Sequence, residues 1–220
     1  WQDQYHRYKG QSSQRETQNT CQTQNGKTEP NKMIVVSDNI IPKKDQEEIK
    51  NLILTDSFPW YSGDLGLQHN FKHKVTIARQ SNFTDLVLPI MREASKLGKF
   101  KYNVVDMASA FLKVPTSAED SLPFIYTKEK HIVVQYFIND AEGDLIIYDK
   151  KWSKGMKKQL PLPESAIEKR ITPKQGTAVI FTGHQYHTEE NPRLNNRCAI
   201  TLCAMMKDVL HEPSYSTRYK

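Results

Sequence analysis

His131-Ile132-Val133-Val134-Gln135-Tyr136-Phe137-Ile138-Asn139-Asp140 contains the longest apolar run of the chain, broken only by Gln135. A membrane-crossing helix needs about 20 apolar residues, so this run cannot span a bilayer, and its β-branched and aromatic content reads as a strand. Asn139-Asp140-Ala141-Glu142-Gly143 follows as a turn, and Asp144 to Tyr148 as the next strand. Working outward, strands are expected over Tyr102 to Val114, Ile167 to Thr172, Thr177 to Phe181 and Arg197 to Met205, with Pro173-Lys174-Gln175-Gly176 as a further turn. Upstream lie a short strand at Ile34-Val35-Val36 and a helix from about Pro42 to Leu54, with Ile49, Leu52 and Ile53 on one side. A second helix is expected within Asn82 to Leu97, carrying Leu86, Ile90, Ala94 and Leu97; Pro89 implies a kink or a late start, and Gly98 a stop. Short strands with tight turns, preceded by helices, predict a mainly β architecture with flanking helices (α+β), the helices packed on a β-sandwich or jelly roll.

The chain has 220 residues and a mass of 25.5 kDa, enough for one domain with a tail. Residues 1–32 hold seven glutamines with many Ser, Thr and Asn and almost no aliphatic residue, so they cannot bury enough surface to fold alone. They read as a polar extended arm that engages a protein partner or mediates self-assembly. The folded domain is expected over residues 33–206, and residues 207–220 as a C-terminal tail. Lys and Arg number 31 against 25 Asp and Glu, a net charge of +6. That permits loose association with anionic surfaces, but no interleaving of aromatic and basic residues points to nucleic acid. The three cysteines, Cys21, Cys198 and Cys203, match no zinc spacing. The last two fall five apart in a strand and face opposite ways, so a disulfide scaffold is excluded and a reducing, cytoplasmic compartment is the default. No charged and apolar leader of the secretory kind follows Trp1. The lone sequon Asn82-Phe83-Thr84 is a short motif expected by chance.

Lys150, Lys151, Lys154, Lys157 and Lys158 surround Trp152 in the segment Asp149 to Lys158. They read as a solvated hairpin loop that protects a sheet edge. The chemistry concentrates at Gly183-His184-Gln185-Tyr186-His187, just after a strand, where two histidines three apart could meet one metal. Arg197 follows His187 by ten positions, 197 − 187 = 10, at the start of the next strand. A guanidinium there could grip a carboxylate in a bidentate way beside a metal held by His187.

Six blocks together resemble the 2-oxoglutarate and Fe(II)-dependent oxygenases, in particular prolyl-hydroxylase-like members of marine phages and bacteria. They are Phe58-Pro59-Trp60-Tyr61, Phe71-Lys72-His73-Lys74-Val75, the stretch His131 to Asp140, Gly143-Asp144-Leu145-Ile146-Ile147-Tyr148, Thr172-Pro173-Lys174-Gln175-Gly176, and Phe181 through His187, Asn191-Pro192 and Arg197. The resemblance covers most of residues 55 to 206 and implies a double-stranded β-helix (jelly roll, cupin-like). It also implies His187 at the distal iron-binding position, and Arg197 and Tyr136 as 2-oxoglutarate-binding residues.

The family's His-x-Asp pair, just before the strand that starts at His131, aligns with Phe124-Ile125-Tyr126, anchored by Pro123. Phenylalanine has no lone pair to donate, and a tyrosine with a pKa of roughly 10 is protonated at neutral pH. A single imidazole does not hold Fe(II), which sits near the weak end of the divalent series. A different register would bring Asp120 or Glu119 to the site, and His184 or His131 are other candidate donors. His131 is equally well explained as a partly covered strand residue bonding a loop, and His184 as an exposed turn residue. Arg197 remains open to three roles: a carboxylate seat, a salt bridge or a strand edge.

Two functions follow. One is a non-catalytic module of the oxygenase fold, needing no cofactor and acting in binding or assembly; the family's occurrence in phages suggests association with a virion. The other is an active dioxygenase using Fe(II) and 2-oxoglutarate to hydroxylate a peptide side chain.

Overall fold

The structure, a computed structural model, describes residues 33–62, 70–74 and 83–206. The polar arm, the C-terminal tail, Cys21 and Asn82 of the sequon lie outside the described residues. The chain divides into two units, Trp1–Asn31 and Lys32–Lys220, and the second carries everything below. Its elements in chain order are β1 (Ile34–Ser37), α1 (Lys43–Ile53), β2 (Tyr61–Ser62), β3 (Asn70–Lys74), α2 (Thr84–Leu97), β4 (Tyr102–Lys113), β5 (His131–Phe137), β6 (Leu145–Lys151), β7 (Ile167–Ile171), β8 (Ala178–Thr182), β9 (Gln185–Glu189) and β10 (Arg197–Met206).

The strands form two sheets, one of seven strands in the order β1-β8-β5-β10-β4-β3-β2 and one of three in the order β7-β6-β9. Every described ladder is antiparallel. The mainly β architecture with flanking helices read from the sequence is therefore the observed one. The interior strand β5 is buried along its whole length, because it has the helices on one face and the second sheet on the other. Alternation sorts its side chains: Ile132, Val134, Tyr136 and Ile138 join the helix-side core, while Val133 and Phe137 join the core between the sheets. On β10, Cys198 and Cys203 divide in the same way between the two cores, and both are free thiols.

Helix α2 lays Val87, Ile90, Met91 and Ala94 on the large sheet. Ile90 and Met91 are fully buried, each stabilising the fold by about 1.5–3 kcal/mol through burial alone. The helix runs through Pro89 rather than starting after it. The helix stops at Gly98, its C-cap, as expected, though not in a left-handed conformation: the φ of Gly98 is −79°, and Lys99 takes φ 49° instead. Gly98 answers a different need, since a Cβ there would lie 2.8 Å from the Phe100 ring that closes the helix-side core.

A further expectation is corrected. Gln185–Glu189 is a strand and not a continuing turn, so the turn after β8 is only two residues long, Gly183 and His184. The lysines of 149–158 are exposed; Lys150 and Lys151 belong to β6, the middle strand of its sheet, while the Lys158 carbonyl accepts from the Ile125 N–H at 2.9 Å, next to the Phe124 that pairs with the edge strand β9. The segment is tied down by Trp152, whose Nε1 donates to the Met156 carbonyl at 2.9 Å. Among the described residues no helix is long and apolar enough to cross a membrane.

Candidate functional site

Strand β9 has the sequence Gln-Tyr-His-Thr-Glu, polar enough to pass for a loop, yet all five residues are buried. Period-two alternation sends Tyr186 and Thr188 outward, Tyr186 into an outer apolar cluster and Thr188 to the Ser121 hydroxyl at 3.0 Å. His187 and Glu189 point the other way, into the space between the sheets. There they build two adjoining microenvironments, one aromatic and one ionic.

Phe124 lies directly opposite His187, joined by an isolated antiparallel bridge in which the Phe124 N–H donates to the His187 carbonyl at 2.8 Å and the His187 N–H donates to the Phe124 carbonyl at 3.1 Å. This pairing sets the ring of Phe124 4.6 Å, centroid to centroid, from the imidazole. Tyr126 follows at 5.0 Å and Phe181 of β8 at 4.9 Å. Nδ1 of His187 is 3.0 Å from the Gln185 carbonyl, which can only accept, so Nδ1 carries the proton and Nε2 the lone pair. Nε2 is buried and has no hydrogen-bond partner. Burial pushes the His187 pKa down to about 4, so the ring is neutral at pH 7. Burial likewise raises the Tyr126 phenol well above its ordinary value, with the Glu189 charge adding to it, so no phenolate is offered.

The ionic half centres on Glu189. Its Oε2 is ion-paired to Nη2 of Arg197 and lies 3.3 Å from Nζ of Lys113, while its Oε1 accepts from Nε2 of Gln135 at 2.8 Å. Gln135 is held in that orientation because its own Oε1 accepts from the Thr201 hydroxyl at 2.6 Å. Burial acts to raise the Glu189 carboxyl, but Arg197 and then Lys113 outweigh it and hold it well below the usual carboxylate range. Burial pushes the Lys113 ammonium down, and Glu189 only partly offsets this. The other arm of Arg197, Nη1, donates to the carbonyls of Gly143 and of Glu190, the latter at 2.9 Å. Gly143 sits at φ +81°, and a Cβ on it would lie 2.6 Å from the Glu190 carbonyl and 3.1 Å from Nη1, so only glycine leaves room for this contact.

The expected site residues thus divide. His187, Phe124 and Tyr126 are brought together. Arg197 points into the same interior but is already paired. Tyr136 is a correction: it lies on the helix-facing side of β5, and the β5 residue that faces Arg197 and Glu189 is its neighbour Gln135. The reason is alternation, which puts consecutive strand residues on opposite faces. Asp120 is exposed and its Oδ1 accepts from the Asn191 N–H at 2.6 Å, which ties down a loop, and Glu119 is exposed beside it. His131 is 2 % exposed, more buried than expected, with Nδ1 2.6 Å from the Glu129 carbonyl. Nε2 of His184 is 2.9 Å from the Lys128 carbonyl, so that histidine also ties a loop. Glu189, Lys113, Gln135 and Thr201 were missed. The available signal was that Glu189 stands two residues after His187 and would share its face, had 185–189 been read as a strand.

A facial triad requires three donors converging on one metal. This interior offers one imidazole ringed by aromatics, with its one nearby carboxylate engaged by two cations. Among the described residues no group of three or more His, Cys, Asp or Glu is arranged to hold a metal ion. The residues present do not fit Fe(II).

No protein-family model and no curated protein matches the chain. Solved structures do. A prolyl hydroxylase from Trichoplax adhaerens, in complex with a hypoxia inducible factor oxygen degradation domain peptide, superposes with a TM-score of 0.57 at 15% identity, covering 80% of this chain and 84% of that one. A Pseudomonas putida prolyl-4-hydroxylase gives 0.57 at 11% identity over 80% and 94% of the two chains. HygX from Streptomyces hygroscopicus, with nickel and 2-oxoglutarate bound, gives 0.56 at 8% identity over 80% and 84%. The chain therefore has the fold of the 2-oxoglutarate oxygenases, a jelly roll.

Proposed function

We propose that this chain is a non-catalytic protein built on the 2-oxoglutarate oxygenase fold and works as a binding or assembly module. One observation supports the reading: Phe124 and Tyr126, the residues that the family resemblance aligns with the His-x-Asp pair, have their rings 4.6 and 5.0 Å from the His187 imidazole. A neutral imidazole alone does not retain a divalent metal as labile as Fe(II) against water. Packed aromatic surface in place of polar donors turns a cofactor cleft into part of a core. The partner on this reading is a protein or a second copy of the chain, engaged through residues 1–32. The Trichoplax neighbour's peptide complex shows that this fold can receive a peptide. A reducing compartment at synthesis and association with a virion belong to the same proposal.

The test is anaerobic reconstitution with Fe(II), followed by metal analysis and a measurement of succinate formed from 2-oxoglutarate. We expect substoichiometric iron and no succinate above a blank. Stoichiometric metal or turnover would overturn the proposal in favour of a dioxygenase acting on a peptide side chain. The assembly part is tested separately: deletion of residues 1–32 is expected to abolish self-association or partner binding, and an unchanged oligomer counts against it.

A further inference from the structure

The ionic half of the interior leads to a conclusion that is independent of iron. Arg197 has no terminal nitrogen left over: Nη1 is shared between the carbonyls of Gly143 and Glu190, and Nη2 is paired with Glu189. Lys113 Nζ reaches Glu189 twice, at 3.3 Å to Oε2 and at 3.3 Å to the backbone carbonyl. Gln135, oriented by Thr201, closes on the remaining carboxylate oxygen. Two cations and an amide, all carried by strands of the large sheet, thus converge on one carboxylate carried by the small sheet. Glu189, Lys113, Gln135 and Arg197 are respectively 8%, 7%, 1% and 1% exposed. Buried cations in this number require an anion, because an uncompensated charge away from water is strongly destabilising. The anion is supplied by the chain itself.

We propose that Glu189 is a built-in ligand, its side-chain carboxylate occupying the anion seat of Arg197, Lys113 and Gln135 that a free carboxylate would otherwise take. The seat is thereby closed to 2-oxoglutarate and to other small carboxylates, and the two cations lock β9 in place, Arg197 onto β10 and Lys113 onto β4. This goes beyond the metal argument, since it concerns the seat for the acid and holds or fails whatever His187 binds.

The test is chemical rescue in the full chain without any metal. Glu189→Ala removes the elements of acetate and leaves the seat empty, and the melting temperature is expected to fall by about 10 °C. Titration with sodium acetate, against sodium chloride at equal ionic strength, is expected to restore several degrees to the variant and to leave the unaltered chain unmoved. 2-Oxoglutarate is expected to stabilise the variant but not the unaltered chain. If Glu189→Ala is unfolded in chloride, circular dichroism across the same acetate titration reads refolding in place of melting. Recovery of structure supports the proposal, and a chain that no carboxylate stabilises or refolds overturns it. Equal stabilisation of the unaltered chain by 2-oxoglutarate also overturns it, because the seat would then be open. Neither outcome depends on iron content or turnover, so failure here is distinct from failure of the non-catalytic reading.

Discussion

At the scale of the residue, His187 and Glu189 stand two apart on one strand and respond to opposite pressures. His187 has lost its water without gaining a partner for Nε2, so its charged form is penalised, whereas Glu189 has gained two cations and is held ionised. Their consequences for stability fall in separate pH windows. Between the ordinary histidine pKa of about 6.5 and the folded value of about 4, the unfolded chain takes up a proton that folded His187 refuses. Its contribution is therefore complete above pH 6.5 and falls as the pH drops through that window, by on the order of 3 kcal/mol if the ring stays buried. Glu189 is lowered as well, so its contribution begins to fade only below the ordinary carboxylate range. Denaturant titrations of the unaltered chain and of His187→Phe from pH 8 to pH 4 check this. The variant is expected to lose the part of the acid slope between pH 6.5 and 4, and identical slopes in both proteins would refute the assignment.

Helices and strands in this protein are decided by which face they bury. α2 contains a proline in its second turn and a modest set of apolar residues, yet it holds together because Val87, Ile90, Met91 and Ala94 form one stripe against the sheet. Leu97, on the same helix and equally apolar in sequence, is 46% exposed. Ile90→Ala is expected to cost about 2–5 kcal/mol in chemical denaturation, from lost burial and the cavity left behind, and Leu97→Ala under about 1 kcal/mol. Comparable losses for the two would mean that α2 packs by another face. Strand β9 obeys the same rule with mostly polar residues: its inner face carries His187 and Glu189, and it is held by the ladder with β6, the ion pair to β10 and the burial of Tyr186 in the outer apolar cluster.

The two sheets and the helix layer create two separate cores, and each of the cysteines of β10 belongs to a different one. Burial pushes both thiols up to about 12, and Cys198 and Cys203 are only 0% and 2% exposed. Access to either requires lifting a covering layer from β10, the helices on the face of Cys198 and the second sheet on the face of Cys203, which is close to unfolding the whole domain. In a Cys21→Ser chain, neither thiol is expected to react with Ellman's reagent in native buffer over hours, and both to react promptly in guanidinium. Rapid labelling with the native circular dichroism signal intact would show that a covering layer lifts from β10 without global unfolding.

The sequence by itself determined β1, β4, β5, β8 and β10 of the large sheet and both helices, because runs such as His131 to Ile138 and the α2 stripe bury side chains with a clear period, whereas the short strands β2 and β3 at the sheet's far edge do not read as strands. The resemblance to the oxygenase family, and not the residues alone, aligned Phe124 and Tyr126 with the pair that accompanies His187, and the structure brings the three rings together. What the sequence left undecided was the face of each residue where periodicity is carried by polar side chains. Tyr136 and Gln135 are neighbours in sequence but lie on opposite sides of β5, and the reading chose the wrong one. Glu189 was not seen at all, because Gln-Tyr-His-Thr-Glu looks like a loop until β6 pairs with it. The partner of Arg197 was decided only by tertiary structure. The attraction between Arg197 and Glu189 depends on both having been removed from water, and that removal is a property of the packed sheets and not of either residue.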